Sequence, residues 1–483
     1  VATVSGLADI NELIAQLMRV ERARGPLALY QNDRQALTLR SASLTDLRSN
    51  LSALNTQVQS LMQPGTLSPF QAKTVTSSNA AVATATATTS ALAGTHSLLV
   101  TQLAKPDTLT TKKFTDTGTD IITAEGAGTK TIRISVDSTN YDINVTLAAG
   151  ETNKTILTNM AAAINGHATA STKVSASVVQ IDSTSSKLVL TSKQTGLTHA
   201  LSLSDQTGTL FATTDLRDSA AADDATNRGG YLYADSALDA KFTLDGLSLT
   251  RSGNTVTDAL TGVTLSLLAE QAGGATPVTL TVGADQAGIK AKVQSFLDSY
   301  NTAIKFLRER TGTTVTSTTS ATGAAEVTSV NRGTLDAEPA YLNLMMNLRS
   351  DVGGRITTPA SGGPASLSEI GITAASDGTL SISDTTKFTD ALNANAGNVA
   401  TLFNSSDGIA TRVSSRLAGF VQTGGIVDGS LSVVTSRLSS LSSLIKAQED
   451  SLKIKEDALR RQLIGLQKVL AQLQLQEAAL GSA

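Results

Sequence analysis

The sequence predicts an α+β multidomain protein. Long, coiled-coil-like N- and C-terminal helices pack together and enclose nested, mainly β middle domains. Three observations carry that reading. Apolar residues recur at steps of three and four near both ends, the spacing of a single helical stripe. The middle turns to Thr, Ser, Ala, Val and Gly in short β-branched runs parted by turn residues. At 483 residues the chain is too long for one ordinary core.

Residues 1–62 read as helix. Ile10, Leu13, Leu17 and Val20 form one stripe, and Leu44, Leu47, Leu51, Leu54, Val58 and Leu61 a second. Gly25-Pro26 lies between them, and a proline disfavours helix at the residue before it. Two helices with a break at that point are expected, the second ending at Gln63-Pro64-Gly65.

The C-terminal stripe is longer. In a heptad frame, Leu431, Leu438, Ile445, Leu452, Leu459, Leu466, Leu473 and Leu480 fill every a position. The d positions Gln448, Lys455, Gln462 and Gln476 are polar, and only Val434, Leu441 and Val469 are apolar. At about 1.5 Å per residue the helix runs to roughly 75 Å. Part of it must pack on the N-terminal helix or on neighbouring subunits. Glu449–Lys453, Glu456–Arg460 and Asp457–Arg461 are i,i+4 pairs off this seam and read as a solvated face.

Between the ends, strands are expected at 81–88, 96–103, 131–136, 141–147, 173–179, 187–192, 240–244, 262–268 and 278–282. Asn153 to Asn165 breaks the pattern with helical spacing, capped by Thr152 or Asn153. Helix returns at 288–310, with shorter helices at 339–350 and 386–403. The Thr/Ser run from Thr313 to Thr322 reads as a flexible loop.

Composition narrows the chemistry. Cysteine is absent, which excludes disulfides, thiolate metal sites and cysteine nucleophiles. Tryptophan is absent and aromatics are 3%, so aromatic-lined pockets and base-stacking platforms are scarce. A net charge of −3 from 38 basic and 41 acidic residues implies no surface for nucleic acid. No run of about 18 apolar residues predicts a membrane span. His96, His167 and His199 are not at metal-ligand spacing. Gly126-Ala-Gly128 leads into a strand rather than a helix, the reverse of a phosphate cradle. Catalytic, metal and cofactor residues are therefore predicted to be absent. Val1 in place of Met suggests a lost or processed start, and the N-terminal segment lacks the apolar stretch of a cleaved secretory signal.

Ser5 through Arg22, with Pro26-Leu27, resembles the N-terminal signature of the flagellar filament cap (hook-associated protein 2) family, with Ala8 inserted before Asp9. Phe70, 83–87 and 94–104 are similar to that family's entry into its β domains. Residues 130–196 resemble a repeat of flagellar hook-type proteins. Phe242 to Gly246, Arg251 to Asp258, Gly262 to Leu265 and Phe296 to Asn301 resemble the family most sharply, and 367–372, 377–380 and 399–403 its C-terminal domain. Leu463 stands where the family often has an aromatic.

The resemblance implies a homo-oligomeric ring, a pentamer or similar, at the distal tip of the flagellum. It implies flagellin, hook–filament junction proteins and an export chaperone as partners, leaves room for a host surface, and requires no cofactor. Export would follow the flagellar type III pathway without a cleaved signal. The expected oligomer or flagellin contacts are the helical seams, at Ile10, Leu13, Leu17, Leu452, Leu459, Leu466, Leu473 and Leu480. The expected division is 1–42 with 440–483 as a helical leg, 43–75 with 283–439 as a helical bundle, 76–125 with 231–282 as a β domain, and 126–230 as an outer β domain. Flagellin, a junction protein, or a secreted adhesin with a glycan-binding β domain are the alternatives.

Overall fold

The computed structural model describes residues 6–319 and 325–480, with side chains for 12–313, 331–473, 475 and 476. Chain contacts divide it into two units, 1–71 with 286–483, and 72–285. The first is helical, the second mainly β, and the α+β class expected from the sequence is the class found.

Helix α1 (Gly6–Arg24) and helix α2 (Pro26–Leu61) open the chain. They part at Gly25, whose backbone is extended, with Pro26 taking the first helical position of α2, where its missing N–H costs nothing. The Gly25 N–H still closes the last turn of α1 on Glu21 O at 2.9 Å. A Cβ at Gly25 would stand 2.6 Å from that same oxygen, so the break requires glycine.

The middle unit follows. Strands β1 (Lys73–Ser77), β2 (Ala83–Ala87), β3 (Gly94–Gln102), β4 (Pro106–Thr110) and β5 (Phe114–Thr115) lead to α3 (Asp120–Glu125). Strands β6 (Gly128–Val136) and β7 (Thr139–Leu147) form a hairpin before α4 (Asn153–Gly166). Its turn, Asp137-Ser138, has both residues at positive φ, as a two-residue hairpin favours. Thr152, not Asn153, caps α4 by accepting from Thr155 N. Asn153 is buried and braces the neighbouring loop through Ile121 N and Thr115 O. Strands β8 (Val174–Asp182), β9 (Ser185–Thr195) and β10 (Ser202–Thr207), then α5 (Leu210–Thr214) and β11 (Gly230–Tyr231), complete this part. Strands β12 (Ala240–Leu244), β13 (Leu247–Arg251), β14 (Thr255–Leu260), β15 (Val263–Leu267) and β16 (Val278–Ala284) return the chain.

The sheets are ordered β1-β16-β3-β12-β13, β14-β15-β2, β10-β6-β7 and β11-β4-β9-β5, with β8 on β9. Two separate apolar cores lie within the unit. Phe242, Leu98, Val100, Leu265 and Leu280 belong to one. Ile132, Ile143, Ile156, Leu188 and Phe211 belong to the other.

The chain then enters α6 (Gln286–Thr311), where Ile289, Val293, Phe296, Leu297, Tyr300, Ile304 and Leu307 are all buried. Strands β17 (Thr313–Thr319) and β18 (Ala325–Arg332) pair as a hairpin. This corrects the loop expected over 313–322 as far as Thr319: β-branched Thr and Val favour extended pairing. The rest of that run, Ser320 to Thr322, lies outside the described residues. Helix α7 (Pro339–Gly353), strands β19 (Ile372–Ala374) and β20 (Leu380–Ile382), and α8 (Thr385–Asn404) follow. Helix α8 is broken at Asn395, whose Oδ1 accepts from Gly397 N and restarts the helix. Helix α9 (Ile409–Val421) leads into α10 (Ile426–Leu480).

The core of the helical unit lies where α2 meets α6, α9 and α10. All six residues of the predicted α2 stripe, Leu44 to Leu61, are fully buried. Phe403 stacks on Phe70 at 5.7 Å and meets Phe296 edge-on at 6.2 Å, which ties the end of α8 to α6. By length and composition alone, a stretch within 385–473 is apolar enough to cross a membrane. That stretch is three helices parted at 405–408 and 422–425.

Candidate assembly interface

Helix α10 runs antiparallel to α1 and α2. Glu21 pairs with Lys455 at 2.6 Å and Arg48 with Asp428 at 3.3 Å, so numbers fall along α10 as they rise along its partners. Beyond the main core the helices form a layer two helices thick. Its apolar cluster holds Ile14, Met18, Leu27, Ile445 and Leu452, with Tyr30, Leu459 and Leu463 partly buried against it.

The buried line on α10 departs from the heptad. Val434, Leu441, Ile445 and Leu452 are buried, and the line continues through half-buried Leu459 and Leu463. Leu441, Leu452 and Leu463 stand eleven residues apart, the repeat of a nearly straight helix rather than a left-handed supercoil. The heptad therefore slides off the seam after Leu459, and Leu466 and Leu473 are 58% and 52% exposed.

On α1 the inward residues are Ile14 and Met18, at 1% and 4% exposure, while Leu13, Leu17 and Val20 are about half exposed. The two exposed sets share one side of the layer. At about 100° per residue, Leu13, Leu17 and Val20 are turned from the Ile14–Met18 line in the same rotational sense as Leu466, Val469 and Leu473 from the Leu452–Leu463 line. Each turn is taken from the helix's own N-terminus. Antiparallel partners turned alike present the same side. Continuing the Glu21–Lys455 level at one residue per residue, Leu466 stands level with residue 10. The apolar stripe thus passes diagonally from α1 onto α10, over about 25 Å.

Of the residues expected to make contacts, Leu13, Leu17, Leu466 and Leu473 lie on this stripe. Leu452 is buried inside the chain and Leu459 partly so. Ile10 and Leu480 have helical backbones, but their side chains fall outside the described residues. The sequence reading did not separate Leu452 from Leu466, because both occupy a positions. Val469, 54% exposed, was missed as a member of the exposed set.

Elsewhere the main charged clusters are paired within the chain. A cavity of about 340 Å³ is lined by Asp351, Asp407, Arg412 and Arg416. Its charges face each other, with Arg416 Nε donating to Asp351 at 3.2 Å and Arg412 Nη2 standing 3.6 Å from Asp407 Oδ2. Hydroxyl and backbone donors from Thr357 and Thr358 hold the Asp407 carboxyl well below the usual carboxylate range. His96 bonds Asp245 at 2.8 Å and His199 bonds Asp137. His167 accepts from Ala170 N at 3.2 Å. Among the described residues no three His, Asp or Glu side chains are grouped to hold a metal.

Two models of one family match the chain. The flagellar hook-associated protein 2 N-terminus matches residues 5–107, and its C-terminus matches residues 237–475. The B-type flagellar hook-associated protein 2 of Pseudomonas aeruginosa is 29% identical over 427 residues, 88% of this chain and 84% of that protein. Flagellar hook-associated protein 2 of Escherichia coli K12 is 26% identical over 435 residues, 89% of this chain and 86% of that protein. The crystal structure of the D1-D2-D3 domains of the Escherichia coli flagellar cap protein FliD is similar at a TM-score of 0.58. It shares 26% identity and covers 81% of this chain and 99% of that one. These matches favour the cap over the flagellin, junction-protein and adhesin alternatives. By sequence and by fold, the chain belongs to the flagellar hook-associated protein 2 family, the flagellar cap proteins.

Proposed function

We propose that this chain caps the growing flagellar filament as a homo-oligomer, and that the diagonal stripe on α1 and α10 is its contact with flagellin and neighbouring subunits. The observation that supports this reading is the stripe itself. Leu13, Leu17, Val20, Leu466, Val469 and Leu473 are each about half exposed on one side of a thin helical layer. Apolar residues massed in this way mark interaction surfaces. The work needs no bond chemistry. Exported flagellin would be held beneath the cap until it folds and inserts, and would then release the contact. Junction proteins, an export chaperone and a host surface are further partners on this reading, and the flagellar tip is its location. The four-part division of the chain belongs to the same proposal, with the two cores of the middle unit as a β domain and an outer β domain, and with Leu109, Phe114 and Ile121 of the expected inner part counted in the outer core.

The test is Leu466→Asp combined with Leu473→Asp in a cap-deleted strain. Both side chains are exposed, so stability should move by less than about 0.5 kcal/mol per site. Swimming should be lost and monomeric flagellin should appear in the medium. Normal filaments from a folded double variant would remove the stripe from the mechanism.

A further inference from the structure

We propose that the outer edge of β7 is a second self-contact, at which two copies of the chain join as antiparallel strands about a two-fold axis. The inference concerns the middle unit and does not depend on the helical stripe.

An edge strand exposes unpaired backbone groups, and proteins usually guard it with bulges, basic residues or proline. Several other edges here are guarded. Strand β10 carries a bulge at Asp205/Thr207, β14 one at Val256/Leu260 and β8 one at Gln180/Asp182. Strand β1 begins with Lys73 and β13 ends with Arg251. Strand β7 has none of these. Its nine residues pair with β6 without a break, Thr139↔Val136 through Leu147↔Gly128. Among the described residues no strand pairs with its other side.

The strand is also self-complementary. Ile143 is its midpoint, so a two-fold axis there opposes Asp142 to Asn144, Asn140 to Thr146 and Tyr141 to Val145 of the second copy. The alternation fits: Asn140, Asp142, Asn144 and Thr146 are exposed, whereas Ile143, Val145 and Leu147 are buried. The amide oxygens of Asn140 and Asn144 already accept from Ser135 Oγ at 2.6 Å and Thr131 Oγ1 at 2.9 Å. Their NH2 groups make no bond among the described residues, and one would meet Asp142 of the second copy. Arg133 holds that carboxylate with two bonds of 2.6 and 2.8 Å, so pairing does not bring two bare charges together. The carboxylate still has room to accept a further bond.

The experiment uses the full chain carrying Leu466→Asp and Leu473→Asp, so that association through the helical stripe is suppressed. Sedimentation should show a monomer–dimer equilibrium. Asn144→Asp sets Asp against Asp across the axis twice, and should weaken it about tenfold. Adding Asp142→Asn restores an Asn–Asp pair and should recover most of the loss, although it gives up the Arg133 pair. The native chain has no cysteine, so Asp142→Cys with Asn144→Cys should yield a covalent dimer on oxidation, beyond that of either single variant. A strictly monomeric parent, an Asn144→Asp chain that dimerises equally well, or no excess covalent dimer would each overturn the proposal.

Discussion

Truncating Leu452 to alanine should free α1 without unfolding the rest of the helical unit. Leu452 is 4% exposed and shares its cluster with Ile14, Met18, Leu27 and Ile445. A buried Leu→Ala change costs about 2–5 kcal/mol, least where the surroundings can close on the cavity. This layer is two helices thick and open on both sides, which places the cost near the lower end, about 2–3 kcal/mol. Little else holds α1. Its buried side chains among those described are Ile14 and Met18. The Glu21–Lys455 pair is half exposed and contributes less than about 1 kcal/mol. The loss is therefore comparable to the whole attachment of α1. Hydrogen exchange on the full chain should show amides of α1 losing about thirtyfold or more protection, while α2 from Leu44 to Leu61 keeps its own. Unchanged protection in α1, or equal loss in both helices, would refute the claim that this cluster is what anchors α1.

Two further changes probe the helical core and its loops. The Tyr300 hydroxyl is buried with no hydrogen-bond partner among the described residues, and burial pushes its pKa up, so Tyr300→Phe should be neutral or stabilising by about 1 kcal/mol, read as a raised melting midpoint. The Asp407 carboxyl is depressed by its threonine donors. Its contribution is present at pH above the ordinary carboxylate value and lost as pH falls through its folded value. Asp407→Asn should lower the melting temperature at pH 7 and flatten its decline on acidification below about pH 4. A midpoint that fell as steeply with acid as in the native chain would sink that assignment.

The sequence was legible where period and burial coincide. The stripe from Leu44 to Leu61 and the α6 face from Ile289 to Leu307 are spaced for one helical side, and the structure buries every member. Strands with clean alternation, such as β7 and β12, were equally readable. Strand β4 was not. It opens on Pro106 and buries Asp107, Thr108 and Thr110, and polar residues give no alternation when their partners are other polar groups. Helix α9 carried a usable signal, Ile409, Val413 and Leu417, in a Gly- and Ser-rich setting for which no element was expected. On α10, the heptad placed Leu452 and Leu466 in equivalent positions. Only the path of the helix separates them, because a straight α-helix drifts about 20° per heptad from a 3.5 repeat. That drift accumulates over the long helix, and the sequence pattern does not show which neighbour will bend to follow it.

The way the chain enters and leaves the middle unit has an evolutionary consequence. Strand β1 brings it in and β16 takes it out as an antiparallel pair, from Lys73↔Ala284 to Ser77↔Leu280. The same device is repeated further out, where β4 and β11 pair at Thr110↔Gly230 and Leu109↔Tyr231. At each level the polypeptide is interrupted at one place, by two strands lying side by side. A lineage can therefore enlarge, shrink or replace everything beyond either stem while the closing hydrogen bonds remain those of an ordinary hairpin. The helices on either side of the excursion need not change with it.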